Sequence, residues 1–322
     1  LITPLFWHNN YGKISAFWSL MFIFPFTIWK GFSISIHQLF HVALLEYFPF
    51  IILLFSLYTI SGGIRIKGKL SGSPAVNTLI ILIGTILASW MGTTGASMLL
   101  IRPLLRANKW RKHKVHTIIF FIFLVANIGG ALSPLGDPPL FLGFLQGISF
   151  FWTTKALLMP MVIASIILLL IYYLLDLYYY NYERKSMQTE NNDNENFSID
   201  GEINILILLA VILSVLMSGF WKPGYNLLFM GISLQIQNIV RDILLIFLAY
   251  ISLHVTSETI RKSNRFTWFP MLEVVKLFAG IFITIIPVIA ILKAGNEGVL
   301  HSLIDLVTNT DGTPDNFRLC PL

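Results

Sequence analysis

The sequence has few charged residues and a single cysteine. Asp, Glu, Lys and Arg make up 12% of its 322 residues, whereas about a quarter of the residues of an ordinary soluble domain are charged. The one cysteine, Cys320, excludes an internal disulfide framework and a thiolate metal cluster. With 56% hydrophobic residues, the composition is that of a membrane protein whose main partner is the lipid bilayer.

Catalytic motifs are also missing. The sequence contains no G-x-S-x-G, no G-x-x-x-x-G-K-[ST] and no H-E-x-x-H, which mark serine hydrolases, P-loop nucleotide hydrolases and zinc peptidases. We therefore predict that the chain is not an enzyme and binds no cofactor, and that an ion gradient drives any uphill transport. The net charge of +6 comes from basic residues clustered beside apolar runs, so no nucleic-acid partner is predicted.

Eight apolar runs predict membrane-spanning helices, because about 20 helical residues cross the hydrocarbon core. The runs are 14–29, 39–60, 74–91, 115–132, 156–180, 203–220, 242–255 and 271–292. The predicted fold class is therefore an all-α, polytopic membrane protein. The segment 181–202 is polar, rich in Asn and Glu and without a helical apolar period, which predicts an exposed linker between two halves.

Basic residues in short loops predict the orientation of the helices. The stretch "RPLLRANKWRKHK", 102–114, is the densest positive cluster and is assigned to the cytoplasm, with the linker 181–202 and the stretch 261–265 on the same side. The basic loop 62–69 falls on the opposite side if the segment 92–105 dips into the membrane and returns. Two alternatives stay open: this segment crosses fully, or the loop lies on the outer face.

Two stretches interrupt the apolar runs with residues that break helices. In hydrocarbon every backbone N–H and C=O must be paired, so a broken helix is tolerated only where protein or a water-filled cavity covers it. The first stretch, 91–105, contains Gly92, Thr93, Thr94, Gly95 and Ser97. These small residues predict a polar turn that can bind an ion, and the alternative is that they only allow close helix packing.

The second stretch is "NIGGALSPLGDPPLF", residues 127–141. Its Gly129 and Gly130 loosen the helix, its prolines prevent the helix from resuming, and Asp137 supplies a carboxylate. A charge at the bilayer centre costs about 2.5–3.5 kcal/mol on insertion scales, so an acid at this position favours a functional role. The alternative is an aqueous loop in which Asp137 is a solvated turn residue.

Together "ANIGGALSPLGDPP" and "GTTGASMLLIRPLLRAN" resemble the ion transporter superfamily, specifically the NhaD-type sodium/proton antiporters and the related CitMHS-like citrate transporters. The antiporters carry a similar Gly-Gly-Ala-x-Ser-Pro-x-Gly-Asp stretch, which residues 129–137 match. The resemblance implies two inverted repeats that meet at a central cation and substrate site. Each repeat contributes a re-entrant hairpin, here 91–105, and a broken helix, here 127–141.

By this resemblance, half of the site is lined by Asp137, Ser133, Asn127, Gly129, Gly130, Thr93, Thr94 and Ser97. No metal other than a transported cation is predicted. Asp137 is the group expected to bind sodium and protons in competition, because one carboxylate can hold either ion. That exclusion is the basis of antiport.

The predicted function is secondary active transport in the cell inner membrane, in which sodium or another monovalent cation is exchanged for protons. The alternative is cation-coupled symport of citrate or another carboxylate. The predicted domains are a first repeat, 1–180, the linker 181–202 and the start of a second repeat, 203–322. No apolar run follows Pro314, which predicts an incomplete second repeat, so a non-transporting remnant is a third alternative; a homodimer would supply the missing wall.

Three further ionisable residues are assigned to the membrane surface. Asp176 lies in the aromatic stretch "YYLLDLYYY", where a snorkelling side chain is expected. His116 follows the basic loop, where solvation near lipid head groups is expected. Glu46 lies among aromatic residues that predict an interfacial belt, and the alternative is a second intramembrane acid that relays protons.

Overall fold

The structure is a computed structural model that describes residues 4–68, 70–184 and 198–286. The helices are α1 Pro4–Lys30, α2 Phe32–Val42, α3 Phe48–Ser61, α4 Pro74–Met91, α5 Thr93–Ala107, α6 Val115–Leu124, α7 Pro138–Leu145, α8 Trp152–Arg184, α9 Ile203–Phe220, α10 Ile236–Val255, α11 Glu258–Ser263 and α12 Phe269–Thr284. A π-helical turn, Ala43–Tyr47, joins α2 to α3, and a 3₁₀ helix, Ile128–Leu132, follows α6. The strands are β1 Arg65–Lys67, β2 Ser198–Asp200, β3 Asn226–Phe229 and β4 Ile232–Gln235.

The described residues contain seven helical segments long and apolar enough to cross a membrane. They are Asn10–Ile28, Phe32–Ser61, Pro74–Met91, Val115–Leu132, Trp152–Glu183, Ile203–Phe220 and Ile236–Val255. The strands form two separate two-stranded antiparallel sheets, β1 with β2 and β3 with β4. The predicted all-α, polytopic class is confirmed, and the chain is a multi-pass membrane protein.

Several predicted runs have different bounds in the structure, among them 242–255 and 271–292. The run 242–255 is part of a longer helix, because α10 begins at Ile236 and includes Arg241 and Asp242. These two charges are accommodated because they pair, with Arg241 Nε 2.8 Å from Asp242 Oδ1. The run 271–292 corresponds to α12, Phe269–Thr284, and its end lies outside the described residues.

The chain forms two compact units, of which the smaller comprises residues 4–47 and 272–286 among those described. Within it, the Tyr47 hydroxyl donates to the carbonyl of Val275 over 2.9 Å. The Ser15 hydroxyl donates to the carbonyl of Lys276 over 2.9 Å, and the Lys276 ammonium lies 5.4 Å from the centre of the Tyr11 ring. These contacts join the N-terminal helices of this unit to α12.

The larger unit, residues 48–271, has its main core among α4, α5, α6 and α8. Apolar side chains such as Ile81, Leu104 and Leu124 are fully buried there. Helices α4 and α5 pack against each other as a hairpin whose tip is Gly92. Gly92 has φ +79°, a backbone conformation that residues with a Cβ rarely adopt, so the tip requires glycine.

Two basic segments of the larger unit, the end of α5 and the loop that contains β1, lie together at one end of the α4–α5 hairpin. Arg106 Nη2 at the end of α5 donates to the carbonyl of Ile66 over 2.8 Å. Strand β1 pairs with β2 in the register Arg65 to Asp200, and the Lys67 ammonium lies 2.6 Å from Asp200 Oδ2. The loop 62–69 therefore shares an end with the basic cluster 102–114, because α5 runs the whole way back along α4. Whether α5 crosses the membrane fully stays a prediction.

Helices α3, α9 and α10 form the remainder of the larger unit. Polar side chains bind the backbone where α3 ends, which satisfies buried carbonyls that no helix pairs. Asn204 Nδ2 donates to the carbonyl of Gly63 over 3.0 Å, and Asn264 Nδ2 donates to the carbonyls of Gly62 and Ile64 over 3.0 and 2.7 Å. At the opposite ends of α9 and α10, β3 and β4 form an exposed hairpin.

Candidate functional site

The second glycine- and proline-rich stretch breaks the helical path after α6. Helix α6 ends at Leu124, the 3₁₀ helix covers Ile128–Leu132, and the backbone is extended at Ser133, with φ −144° and ψ 157°. Helix α7 begins with Pro138, which lacks the N–H that a continuous helix would need at this position. We call residues 125–137 the break.

The break is fastened to the last turns of α4. Ser89 Oγ donates to the carbonyl of Gly129 over 2.5 Å, and Ser133 Oγ donates to the carbonyl of Ser89. A Cβ at Gly129 would lie 2.7 Å from the carbonyl oxygen of Thr85, so glycine is needed for this close approach. These bonds satisfy backbone groups that the missing helical pairs leave open.

Asp137 lies where the break meets the tip of the α4–α5 hairpin. The N–H of Thr93 donates to the carbonyl of Gly136 over 3.1 Å, and Thr93 Oγ1 donates to Asp137 Oδ1 over 3.5 Å. Gly130 completes the group, since a Cβ there would lie 2.9 Å from Asp137 Cγ. The Asp137 side chain is half-buried, and this is the one hydrogen bond to its carboxylate within the described part of the chain.

Two of the remaining predicted residues lie beside this group without joining it directly. Ser133 is 3% exposed, but its hydroxyl is already bound to Ser89 and accepts from the N–H of Leu135 over 3.2 Å. Ser97 lies one helical turn after Thr93, and its buried hydroxyl has no hydrogen-bond partner among the described residues. Ser133 therefore holds the backbone of the break, and Ser97 has an unused donor and acceptor.

The two other predicted side chains are exposed and form no hydrogen bond with Asp137 in the described structure. Asn127 Nδ2 donates to the carbonyl of Ile122 over 2.8 Å, where it closes the end of α6. Thr94 is exposed on the first turn of α5. The structure thus places Asp137 next to Thr93 and Gly130. Gly129 and Ser133 hold the backbone of the break against α4.

The break lies among the candidate membrane spans. Its partner Ser89 belongs to the span Pro74–Met91, and a Cβ at Gly92 would lie 3.7 Å from Leu57, in the span Phe32–Ser61. Phe141 in α7 is 1% exposed and lies 5.6 Å below the guanidinium of Arg241. Gly129, Gly130 and residues 133–136 are buried, so this part of the irregular backbone is covered by protein, as broken helices in membranes require.

A second polar cluster surrounds Asp176 in α8. Its side chain is fully buried, and Oδ1 accepts from Arg111 Nη1 over 2.5 Å and lies 2.7 Å from His116 Nε2. Oδ2 accepts from Asn77 Nδ2 over 3.0 Å. The carboxylate thus has donors from α4, from α6 and from the loop before α6, so it fastens these segments to α8.

The cluster continues towards the basic end of the unit. Arg111 Nε lies 3.2 Å from Glu183 Oε2, while Glu183 Oε1 accepts from the backbone N–H groups of Lys112 and His113 over 3.0 and 2.7 Å. Asn108 Nδ2 donates to Asn77 Oδ1 over 2.8 Å, and Asn77 Nδ2 returns a bond to Asn108 Oδ1 over 2.9 Å. Arg111, with a side chain 0% exposed, is bound on all sides by these groups.

The expectation that the side chains of Asp176, His116 and Glu46 reach water or lipid head groups is wrong, because all three are buried within the protein. Asp176 is 0% exposed, His116 is 9% exposed and Glu46 is 4% exposed. The signal that could have identified Asp176 was available, because an acid inside an apolar run is costly unless a cation or several donors compensate it. What sequence could not supply was its partner, since Arg111 is 65 positions away.

The ligand sets of metal sites combine several His, Cys, Asp or Glu side chains. Within the described ranges, no three His, Cys, Asp or Glu side chains are placed to hold a metal ion. The Asp137 group contains one carboxylate and one hydroxyl at hydrogen-bond distance from each other.

Comparison with known proteins identifies a family. A family model described as "Putative citrate transport", CitMHS_2, matches residues 1–320. No curated protein and no solved structure matches the chain. The family match covers nearly the whole chain and confirms the resemblance to CitMHS-like transporters.

Proposed function

The chain belongs to the CitMHS_2 citrate transport family, and we propose on this premise that it is a secondary transporter for a citrate-like carboxylate in the inner membrane. We propose further that the carboxylate moves together with a cation bound at Asp137. Family membership makes the chain a transporter. The substrate and the coupling ion are the proposal.

The observation that carries the proposal is the incomplete bonding of Asp137. This half-buried carboxylate has one hydrogen bond, from Thr93 over 3.5 Å, within the described residues. A carboxylate with oxygen positions to spare attracts a small cation, particularly beside the hydroxyl of Thr93 and the unwound carbonyls of the break. Sodium is therefore the cation that we assign to this group.

A carboxylate substrate is favoured by the two helices that begin here. Helix α5 begins at Thr93 and α7 begins at Pro138, next to Asp137. The N-terminus of a helix carries a partial positive charge that attracts anions. A cation on Asp137 would offset the charge of that acid, so that cation and substrate favour each other's binding.

Exchange of sodium for protons is the second candidate. It is favoured because no basic side chain forms an ion pair with Asp137 among the described residues. Arg102, the nearest basic residue along α5, instead donates to the carbonyl of Ser263 over 3.0 Å. A carboxylate without a fixed cation can hold sodium or a proton in turn, which is the requirement for antiport.

Reconstituted protein separates the two functions. Proteoliposomes containing unlabelled citrate would be diluted into labelled citrate with and without sodium. We expect sodium-dependent exchange of label into the vesicles. Failure of any citrate exchange, together with sodium-dependent movement of protons in citrate-free vesicles, would overturn the first function in favour of antiport.

Substitutions at the site test the role of Asp137. Asp137→Asn removes the charge and is expected to abolish the sodium dependence of transport. Gly130→Ala keeps the carboxylate but places a Cβ 2.9 Å from Asp137 Cγ and 2.7 Å from Thr93 Cγ2, so it is expected to weaken sodium binding by obstruction. Glu258→Gln is the matched control, because that acid is 84% exposed in its side chain. Wild-type sodium dependence in Asp137→Asn would remove Asp137 from the mechanism.

A further inference from the structure

We propose that the His116–Asp176 pair is a proton-binding site of the transporter, separate from the cation site at Asp137. The proposal rests on the transport function proposed above, to which it adds the coupling of transport to protons. The pair lies in the second polar cluster, and the first site does not use it. Its chemical ligand is a single proton taken from and returned to water.

The geometry of the pair suits a shared proton. His116 Nε2 lies 2.7 Å from Asp176 Oδ1, and the Asp176 side chain is fully buried within the candidate span Trp152–Glu183. At this distance Nε2 carries hydrogen towards the carboxylate whether the imidazole is neutral or charged. Proton binding therefore changes the charge of the pair without breaking its hydrogen bond, and the added charge lies directly against an anion.

Histidine is the side chain suited to exchange a proton here. Its ordinary titration falls between about pH 5 and 8, whereas the guanidinium of Arg111 stays protonated in proteins. The ionisable side chains in contact with His116 are Asp176, Tyr172 and Tyr179 of α8. Arg111, Glu183 and His113 belong to the same cluster and contact Asp176, Tyr179 or one another. The other elements packed against α6, which are α4 and the 3₁₀ helix, contain no ionisable side chain.

The pair is close to water at the basic end of the unit. His116 is the second residue of α6 and is 9% exposed. Its ring stacks on Tyr179 with centroids 5.0 Å apart, and the ring of His113, in the preceding loop, stacks on the same tyrosine at 5.1 Å. A proton therefore has a short path from this end of the protein to His116, whereas the Asp137 site lies beyond α6 at the break.

The pair also connects the two elements that hold the break. At one end, His116 in α6 binds Asp176 in α8. At the other, Thr153 and Thr154 at the start of α8 donate to the carbonyl of Leu132 over 3.1 and 2.5 Å. A charge gained at His116 strengthens the attraction of α6 to α8, so proton binding is linked to the position of the break that carries Asp137.

The alternative is a structural clamp in which His116 is only a hydrogen-bond donor. The two roles make different predictions for His116→Gln, because the glutamine amide can donate to Asp176 but cannot bind a proton. His113→Gln is the matched control, since His113 stacks on the same tyrosine but forms its bond to Glu183 through the backbone.

The test uses the full chain in proteoliposomes. Citrate uptake would be measured with a pH gradient or with a sodium gradient as the driving force, and citrate exchange would be measured without a gradient. Each measurement would be repeated at several pH values between pH 5 and 8. We expect wild type and His113→Gln to use the pH gradient, and His116→Gln to lose this component and its pH dependence while sodium-driven uptake is still measurable. Asp176→Asn keeps donors and acceptors but removes the negative charge that faces the imidazole, so it is expected to reduce the uptake driven by the pH gradient.

Two results would overturn the proposal. One is pH-gradient-driven uptake by His116→Gln with the wild-type pH profile, which would leave the cluster as a clamp. The other is independent of transport: ring signals of His116 in histidine-labelled protein that do not move between pH 5 and 8. Absence of citrate exchange in wild type, with His116 signals that do move, would instead overturn the proposed substrate and leave the proton site standing.

Discussion

Asp137 and Asp176 are both acids in apolar surroundings, but the protein binds them differently. Asp176 is fully buried, and Arg111, His116 and Asn77 occupy its oxygens at 2.5–3.0 Å. Asp137 is half-buried and has one hydrogen bond, at 3.5 Å, in the part of the chain that the structure describes. The surroundings differ as well, because the backbone of Gly130 lies close against Asp137 whereas the ring of Tyr172 packs against His116.

This difference separates a structural charge from one that is available to a ligand. A buried carboxylate whose donors are all protein groups contributes to the joining of helices, since losing any donor is costly. A carboxylate with few protein donors is costly in the apo state and is compensated when a cation arrives. The proton proposed for His116 changes the charge of a cluster that stays bonded, while the cation proposed for Asp137 fills an open position.

The largest expected effect comes from removing the guanidinium of Arg111 from the second polar cluster. Arg111→Met leaves Asp176 and Glu183 without the guanidinium that binds both. Breaking a buried ion pair by removing one partner costs about 3–5 kcal/mol. We expect a loss of this size in the free energy of unfolding, measured in mixed detergent micelles by tryptophan fluorescence.

A double variant distinguishes charge from packing in this result. Arg111→Met combined with Asp176→Leu removes the buried charge together with its partner, and apolar replacements of a buried pair are often close to neutral. We expect the double variant to regain most of the lost stability. If it is no more stable than Arg111→Met alone, packing around the guanidinium matters more than its charge.

The next largest effect is expected from a substitution in the break, next to Asp137. A Cβ at Gly136 would collide with the carbonyl of Gly130, so Gly136→Ala must displace the backbone that carries Asp137. Overpacking of this kind costs about 1–3 kcal/mol, and a backbone atom cannot move aside as a side chain can. We expect reduced stability and loss of sodium-dependent uptake, measured on the same preparation.

Gly219→Ala is the matched control for this prediction. Its Cβ would lie 3.3 Å from the ring of Phe144, a side chain that can shift. Normal sodium dependence in Gly136→Ala would show that the geometry of the break does not control access to Asp137.

Much of this organisation could be predicted from the sequence, because it depends on local composition. Apolar runs of span length determine the helices, and the glycines and prolines at 127–141 determine where α6 cannot continue. The Asp137 group is also local, since residues 129–137 supply most of it. The family match over residues 1–320 agrees with the motifs from which the resemblance was inferred.

The second polar cluster, around Asp176, could not be predicted in the same way, because its members come from distant parts of the chain. Asn77 and Asp176 are 99 positions apart, and Arg111 and Glu183 are 72 positions apart. Sequence position near an aromatic helix end suggested that Asp176 reaches water, but tertiary packing supplied partners that make burial favourable. Asn127 and Thr94 also belong to the motifs, but both side chains are exposed. Thr94 lies in the first turn of α5, and Asn127 follows the end of α6.

A smaller loss in the free energy of unfolding is expected from Asn77→Ala, which removes one hydrogen-bond donor from Asp176. Asp176 Oδ2 loses its bond, while Asn108 keeps the carbonyl of Leu104 as an acceptor at 2.8 Å and Arg111 as a donor at 3.4 Å. An unsatisfied buried group costs about 1–3 kcal/mol, and we expect the lower half of this range. Asn226→Ala in the exposed β3–β4 hairpin is the control for the unfolding measurement, and equal losses in the two variants would contradict the role of burial.

The smallest effect is expected from an acid that is neither buried nor open to a ligand. Glu258 and Lys262 form a surface pair, 2.6 Å apart, with side chains 84% and 78% exposed. The hydrogen bond from Lys262 lowers the pKa of Glu258, so any stabilising contribution is present at neutral pH and is lost as the pH falls through that lowered value. Because water and salt screen the pair, we expect Glu258→Gln to match wild type in unfolding measurements at neutral and at acidic pH. A loss as large as that of Asn77→Ala would mean that exposure does not distinguish this acid from Asp176, and the comparison between bound and available carboxylates would lose its physical basis.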